Sequence, residues 1–489
     1  MGSRGLTLLT CVLAAGCIMD GTESDRTGSG LGYEAGGLAV PVVPTTVRAG
    51  GVHTCAVQGG GVRCWGAHDL GELGIGFFLN GATPPGCRIA YGALQCDSPV
   101  SVPGLTSGVL GVATGFAFSC ALKSDGTVVC WGSNLYGQLG IGTAVPAGCV
   151  DTGSPTVGVY CASPQKALGL TGVTQIVAND FSMCARKADG TAACWGLNMH
   201  GELGLGTTKP AGCTGTTTEG MAMKCTKPVA VPGLAGVKRV ESGGGYHACA
   251  VLTSGAVKCW GLNMTGELGI GATLPAGCHD LDGDGIASMC PMPMTVVGLS
   301  GATDIAVGSF HSCASLSNGT AKCWGQNESG RLGIGKTVPA GCYDDIVPDG
   351  MADYCRLPAP VKGLTNVKTV AAGWLRSCAI LTTGELRCWG SDDRKALGIG
   401  DTVPPQCVAS GIPYCPEPVA ITGLTGAVSN VATNEMQTCA SLAAGGAMCW
   451  GMNGYGDLGL GKSVPPTCVD TDGDGYANRC SRPASVTGL

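Results

Sequence analysis

The most reactive side chains of this sequence are its 30 cysteines, of which 28 fall into pairs at short, recurring separations. One set runs Cys55 and Cys64, Cys120 and Cys130, Cys184 and Cys194, Cys249 and Cys259, Cys313 and Cys323, Cys378 and Cys388, Cys439 and Cys449. A second set alternates with it: Cys87 and Cys96, Cys149 and Cys161, Cys213 and Cys225, Cys278 and Cys290, Cys342 and Cys355, Cys407 and Cys415, Cys468 and Cys480. Zinc sites favour Cys-x-x-Cys knuckles and clustered histidines. The pairs here form no such knuckle, and the 6 His are scattered singly. Disulfides need only that partners lie opposite one another in an oxidising compartment. The even set leaves over only Cys11 and Cys17, near the N-terminus, so local disulfides are expected.

Carboxylates supply the second candidate site. Asp280, Asp282 and Asp284 stand at alternate positions with Gly283 and Gly285 between and after them, and Asp470, Asp472 and Asp474 repeat the spacing. Glycines let the backbone wrap so that such side chains converge, and their oxygens suit a hard cation. Both segments resemble the Asp-rich calcium loops of thrombospondin and dockerin modules, which implies Ca2+ as ligand. A complete EF-hand loop has a carboxylate at its twelfth position. Pro291 and Ser481 stand there, so water or the neighbouring copy is expected to complete the shell. Asp344, Asp349 and Asp353 form a degraded version.

Two segments, 330–337 and 456–463, satisfy the phosphate-loop pattern through Lys336 and Lys462. That loop works by presenting a helix N-terminus to phosphate. The same glycines recur in copies without Lys, and no helical pattern follows; no nucleotide is expected. Lone His68, His200 and His279 read as surface side chains. No nucleophile elbow, zinc-protease motif or paired carboxylates stand out, so no catalytic residue is assigned.

The elements that hold these residues are repeated. Cys-Trp-Gly occurs at Cys64, Cys130, Cys194, Cys259, Cys323, Cys388 and Cys449, with successive separations of 66, 64, 65, 64, 65 and 61. Such a period marks stacked units that share a core. Between Cys120 and Cys130 the loop Ser124-Asp125-Gly126 fits a type I turn with a bulge, pairs Lys123 with Thr127 and sets the two cysteines opposite each other. In the first copy a shorter Gly59-Gly60 loop matches a shorter cysteine spacing. Five residues before the first cysteine of each copy stand Gly50, Gly115, Asn179, Gly244, Gly308, Gly373 and Asn434. These two residue types accept positive φ most readily, which predicts a strand-end turn. The seven Trp of the Cys-Trp pairs are expected to pack between sheets, leaving Trp374 as the surface candidate.

Segments such as Phe310 to Gly319 and Cys130 to Gly142 resemble regulator of chromosome condensation repeats, and they recur across residues 42–489. The resemblance implies an all-β fold, a seven-bladed β-propeller of four-stranded antiparallel blades, here with a disulfide-closed insert in each. It does not imply one function, since the family hosts exchange factors, ligase modules and secreted inhibitors. The export signal, the cysteine-pinned hairpins and the inserts depart from the nuclear branch and argue against nucleotide exchange.

Residues 1–17 read as a lipoprotein signal peptide and lipobox, with Arg4, an apolar stretch and Leu13-Ala14-Ala15-Gly16-Cys17. Cys17 is the expected lipidation site, residues 18–41 a flexible tether, and residues 42–489 the propeller. An extracytoplasmic protein, anchored to a bacterial outer membrane or cell surface, follows. Membrane contact is expected through the lipid alone. The net charge of −6 gives no basic excess for nucleic acid. The expected function is a cell-envelope binding scaffold for a protein or glycan; a structural lipoprotein is the alternative, and an enzyme or exchange-type regulator ranks below it. Because the chain ends in a segment that elsewhere leads into another strand, strands from both termini are expected to share one blade.

Overall fold

Each copy folds by the same local logic, seen in the second one. Val109–Thr114 leads into Phe118–Lys123, which turns into Val128–Ser133, and the chain returns along Val159–Lys166. The predicted turn forms: Lys123 N donates to Thr127 O at 2.9 Å, and Gly126 takes φ 76°. Cys120 therefore faces Cys130 in register, with Cα atoms 4.0 Å apart and the disulfide closed. The insert strand Cys149–Asp151 adds to the outer edge and brings Cys149 opposite Cys161. All fourteen expected disulfides form in this way, two in each copy.

This computed structural model describes residues 33–34, 45–76, 83–90, 93–346, 349–409 and 411–489. Seven antiparallel sheets of four to six strands make an all-β, seven-bladed propeller. Inner strands line a central channel. The first-to-second-strand turns, the Leu-Gly segments and the inserts crowd one face, here called the turn face; the hairpin tips occupy the other. Cys11, Cys17 and most of the expected tether lie outside the described residues, but Tyr33–Glu34 forms a short strand against Val173–Ala178.

The blades are joined through tryptophan, as expected. All seven Trp of the Cys-Trp pairs are 0% exposed. Trp131 Nε1 donates to Glu72 O of the preceding blade at 2.7 Å, and Trp195, Trp260, Trp324 and Trp389 donate to the equivalent carbonyls at 2.8–2.9 Å. In six of the seven a large apolar body is buried while its one polar atom finds an acceptor; Trp450 Nε1 has no partner among the described residues.

Ring closure differs from expectation. Thr46–Ala49 pairs with His53–Gln58 of its own copy, and Arg479–Ser485 pairs with Ala447–Met452 of its own. No blade is shared, because the repeat is cut between an outer strand and the next inner strand. The ring closes through side chains: Trp65 Nε1 donates to Asp457 O at 2.7 Å, and Val47 N donates to Ser441 Oγ at 3.1 Å.

Candidate binding face

The strand-end turns form, but not for the predicted reason. Gly50, Gly115, Gly308 and Gly373 have no positive φ. Each turn is closed by a backbone bond, such as Gly50 N to His53 O at 2.8 Å and Gly115 N to Phe118 O at 2.9 Å. What excludes a side chain is the next blade. A Cβ on Gly50 would lie 2.5 Å from Gly115 O, and one on Gly115 would lie 2.6 Å from Asn179 O. In the fourth copy the equivalent residue is Gly243 rather than Gly244, because the turn is one residue longer: Glu241, not Ser242, pairs with Cys249. The two Asn sites cap instead. Asn434 Oδ1 accepts from Met436 N and Gln437 N at 2.8 Å, and Asn179 Oδ1 accepts from Phe181 N at 2.9 Å.

Just after these residues the chain turns outward, and five consecutive blades present an aromatic side chain there: Phe116, Phe181, Tyr246, Phe310 and Trp374. All five are half-buried. They form a crescent at the channel mouth, of which only Trp374 was expected at the surface. Comparing the same turn across copies would have revealed it. Tyr136 meets Phe181 edge-on at 5.3 Å, and His200 lies 4.8 Å from Tyr246. Buried arginines pin the turns behind: Arg331 Nη1 donates to Trp374 O at 3.2 Å, and Arg376 Nη1 to Asn434 O at 2.6 Å. Burial lowers both guanidinium groups to about 10, which leaves them charged at neutral pH.

Histidines depart from the surface expectation. His68 is buried; its Nδ1 accepts from Leu73 N at 3.3 Å, where other copies use a side chain such as Asn134. His200 and His279 are half-buried. His53, His247 and His311 are fully buried and reach the serine of the next blade at 2.7, 3.0 and 2.7 Å. Burial lowers His53 to about 3 and His247 to about 4, so they serve as neutral pins between blades.

The two Asp loops take one geometry. The carboxylates of Asp280, Asp282 and Asp284 converge within 4.8 Å, as do those of Asp470, Asp472 and Asp474. Asp280 accepts from Gly283 N and Gly285 N at 2.6 and 2.8 Å; Asp470 does the same with Gly473 N and Gly475 N at 2.7 and 2.9 Å. These backbone donors, Gly285 and Gly475 foremost, hold Asp280 and Asp470 below the usual carboxylate range. Converged hard oxygens fit a calcium ion, yet the neighbouring blade brings cations rather than ligands. Arg88 lies 3.0 Å from Asp474, and Arg356 lies 4.0 Å from Asp284. Asp344 and Asp349 bond backbone N–H groups of their own loop, Gly350 and Met351, and Asp353 bonds those of Asp345 and Ile346.

The phosphate-loop look-alikes are blade connections. Gly335 N and Gly461 N donate to Pro416 O and Asp97 O at 2.9 and 2.7 Å, and among the described residues no helix follows either. Their N–H groups are spent on the next blade.

These features define a disulfide-pinned seven-bladed propeller whose variable chemistry sits on its turn face. Four stretches of the chain, residues 109–138, 237–265, 302–331 and 367–395, match the regulator of chromosome condensation (RCC1) repeat model, and a second RCC1 repeat model matches 318–380. The ultraviolet-B receptor UVR8 of Arabidopsis thaliana is 23% identical over 86% of this chain and 79% of its own length. The human E3 ubiquitin-protein ligase HERC2 is 26% identical over 75% of this chain, which spans 7% of that protein. Among solved structures, yeast RCC1 (Prp20) bound to Kap60 superposes with a TM-score of 0.65 at 20% identity, covering 93% of this chain and 85% of that one. Human WBSCR16 gives 0.62 at 18% identity, over 87% and 94%. These solved structures share the fold.

Buried acids make the ring pH-sensitive, Glu72 among them. Burial raises Glu72 to about 8, so it is protonated in the folded protein at neutral pH but ionised in the unfolded chain above the ordinary 4.5. Its contribution is intact below the unfolded value and is lost as pH rises through about 8. Gln138 occupies the same place in the next blade and accepts from Tyr136 N at 2.8 Å, as Glu72 accepts from Leu70 N at 2.9 Å. Glu72→Gln is therefore expected to stabilise by about 1–3 kcal/mol at pH 8 and to change little at pH 4. Urea unfolding at both pH values, with disulfides intact, measures this; equal shifts at the two would refute it.

Proposed function

We propose that this is an exported binding scaffold, lipid-anchored through Cys17 to a bacterial outer membrane or cell surface, whose turn face captures a protein partner. The RCC1-type propeller supports an interaction scaffold in general; the particular reading rests on the aromatic crescent from Phe116 to Trp374. Five consecutive blades place an aromatic side chain at one turn, on a backbone fixed by disulfides. Rigid, half-exposed aromatic anchors lose little entropy on contact and dominate protein interfaces. Met264, 47% exposed in the Leu-Gly segment of the fourth copy, adds an adaptable apolar contact of the kind found at such surfaces.

Calcium belongs to this reading as a stabiliser of the fourth and seventh inserts. Asp280, Asp282 and Asp284 would hold one ion and Asp470, Asp472 and Asp474 another. Bound there, the cation would neutralise the clustered carboxylates and stiffen the two inserts at the outer edge of the turn face.

The test is affinity capture from envelope extracts, with and without calcium, using the full protein and the Phe181→Ala/Phe310→Ala variant. A protein retained by the parent and at least about 100-fold weaker on the variant is expected, since each anchor contributes about 2 kcal/mol or more. Unchanged melting of the variant would show that its face, not its fold, was altered. Equal capture by both proteins would move the site off the crescent. Capture of a glycan alone would reject a protein partner, and capture unaffected by calcium would separate the Asp loops from binding.

A further inference from the structure

Positive charge is concentrated on the face opposite the aromatic crescent. That face is built from the hairpins at 57–63, 122–129, 186–193, 251–258, 315–322, 380–387 and 441–448, the first two residues of each inner strand and the last residue of each outer strand. Together these parts carry ten Lys and Arg against three acids, in a chain whose net charge is −6. The acids gather instead in the inserts and the turns before the Leu-Gly segments, at positions such as Asp282, Glu328, Asp393 and Asp472. The three acids of the hairpin-tip face are held by cations of their own hairpins: Lys123 meets Asp125 at 3.8 Å, Lys187 meets Asp189 at 3.1 Å and Arg387 meets Glu385 at 2.9 Å. Seven cations are left that meet no carboxylate among the described residues. Lys238, Lys258, Lys322 and Lys368 stand in the fourth to sixth blades, and Arg63, Lys166 and Arg186 in the first three. The connections between blades add only Lys362, which is paired with Glu417 at 2.6 Å.

The layout and chemistry of these cations select their partner. They occur in six of the seven blades, spread around a ring of hairpin tips rather than along one groove. No Phe, Tyr, Trp or His stands in these segments, so there is no platform on which nucleic-acid bases stack. Most are lysines, compact hydrated charges; bidentate recognition of single phosphates favours arginine. A ring of this kind fits a broad plane of negative headgroups, which attracts each nearby cation over about a Debye length.

We propose that the hairpin-tip face rests on an anionic phospholipid surface, adding an electrostatic contact to the one expected through the Cys17 lipid. This rests on the envelope location given under the proposed function. Docked in this way, the propeller turns its acidic face and the aromatic crescent away from the membrane, towards the protein partner.

The test uses full-length protein carrying Cys17→Ser, so that no attached lipid contributes, titrated with vesicles of phosphatidylglycerol and phosphatidylcholine and with vesicles of phosphatidylcholine alone. Two further variants have equal net charge: Lys258→Gln/Lys322→Gln/Lys368→Gln on the hairpin-tip face, and Lys209→Gln/Lys336→Gln/Lys462→Gln beside the inserts. Binding to the anionic vesicles is expected, and it should be lost between low and high salt. The hairpin-face variant should bind about 30-fold more weakly or worse, since each lysine near such a surface contributes about fivefold. The insert variant should lose less than about threefold. Melting temperatures equal to the parent's would show that both variants keep the fold. No preference for anionic vesicles, equal losses in the two variants, or tighter binding to a short DNA duplex than to the vesicles would overturn the proposal. If a variant does not fold, the vesicle preference and salt dependence of the parent still decide. Mass spectrometry of unsubstituted protein from envelope extracts reads the diacylglyceryl group on Cys17 separately, so a missing anchor is told apart from a face that does not bind.

Discussion

Reduction of the folded protein is expected to proceed in two stages, with the insert disulfides opening first and the hairpin disulfides only on global unfolding. Hairpin cysteines such as Cys249 and Cys259 are 0% exposed on both sides. Each insert pair has one more accessible member: Cys87, Cys149, Cys278 and Cys407 are half-buried, and Cys213, Cys342 and Cys468 are 8–9% exposed. A thiolate must reach a sulfur in line to exchange with it, so access sets the order. The inserts also lie at the outer edge of their sheets, where opening leaves the four inner strands paired. The hairpin sulfurs are buried on both sides and become reachable only when the blades come apart, so the second stage must coincide with unfolding. Timed reduction, alkylation and peptide mapping would follow this. Labelling of hairpin cysteines before insert cysteines, or links between different copies, would contradict it.

Gly308→Ala is expected to destabilise by about 3 kcal/mol although its backbone conformation suits any residue. The added methyl would collide with Gly373 O of the next blade. The Gly373 carbonyl cannot rotate away and the His311 imidazole crowds the same space at 2.5 Å, so the propeller must open locally, and overpacking of this kind costs about 1–3 kcal/mol or more. Gly298→Ala is the contrast. Gly298 has φ 68° and open space around it, so it pays only the strain of a left-handed residue, about 1 kcal/mol. Thermal or urea unfolding of the two variants separates the causes. If Gly298→Ala proves the more damaging, conformation rather than blade contact governs the ring glycines.

Much of this protein was legible without its structure, and the reason is distance along the chain. The Lys123 to Thr127 turn decides that Cys120 meets Cys130, and every disulfide follows from a register set within thirteen residues or fewer. The repeat of Cys-Trp-Gly likewise fixed the number of blades and marked Trp65 to Trp450 as buried. The convergence of Asp280, Asp282 and Asp284 is equally local.

What the tertiary structure decided lies between copies, across one repeat or around the whole ring. The clash that reserves Gly50 for glycine comes from Gly115 O, and the carbonyl that receives the Trp65 indole belongs to Asp457 at the other end of the chain. Arg88 reaches Asp474 across the same closure, which no spacing within either segment announces. Phe116, Phe181, Tyr246, Phe310 and Trp374 are one surface only because the blades are arranged radially. Hairpin register is a property of neighbours in sequence; contacts between blades depend on how rigid sheets pack about an axis, and that is settled by side-chain volume and backbone approach in three dimensions.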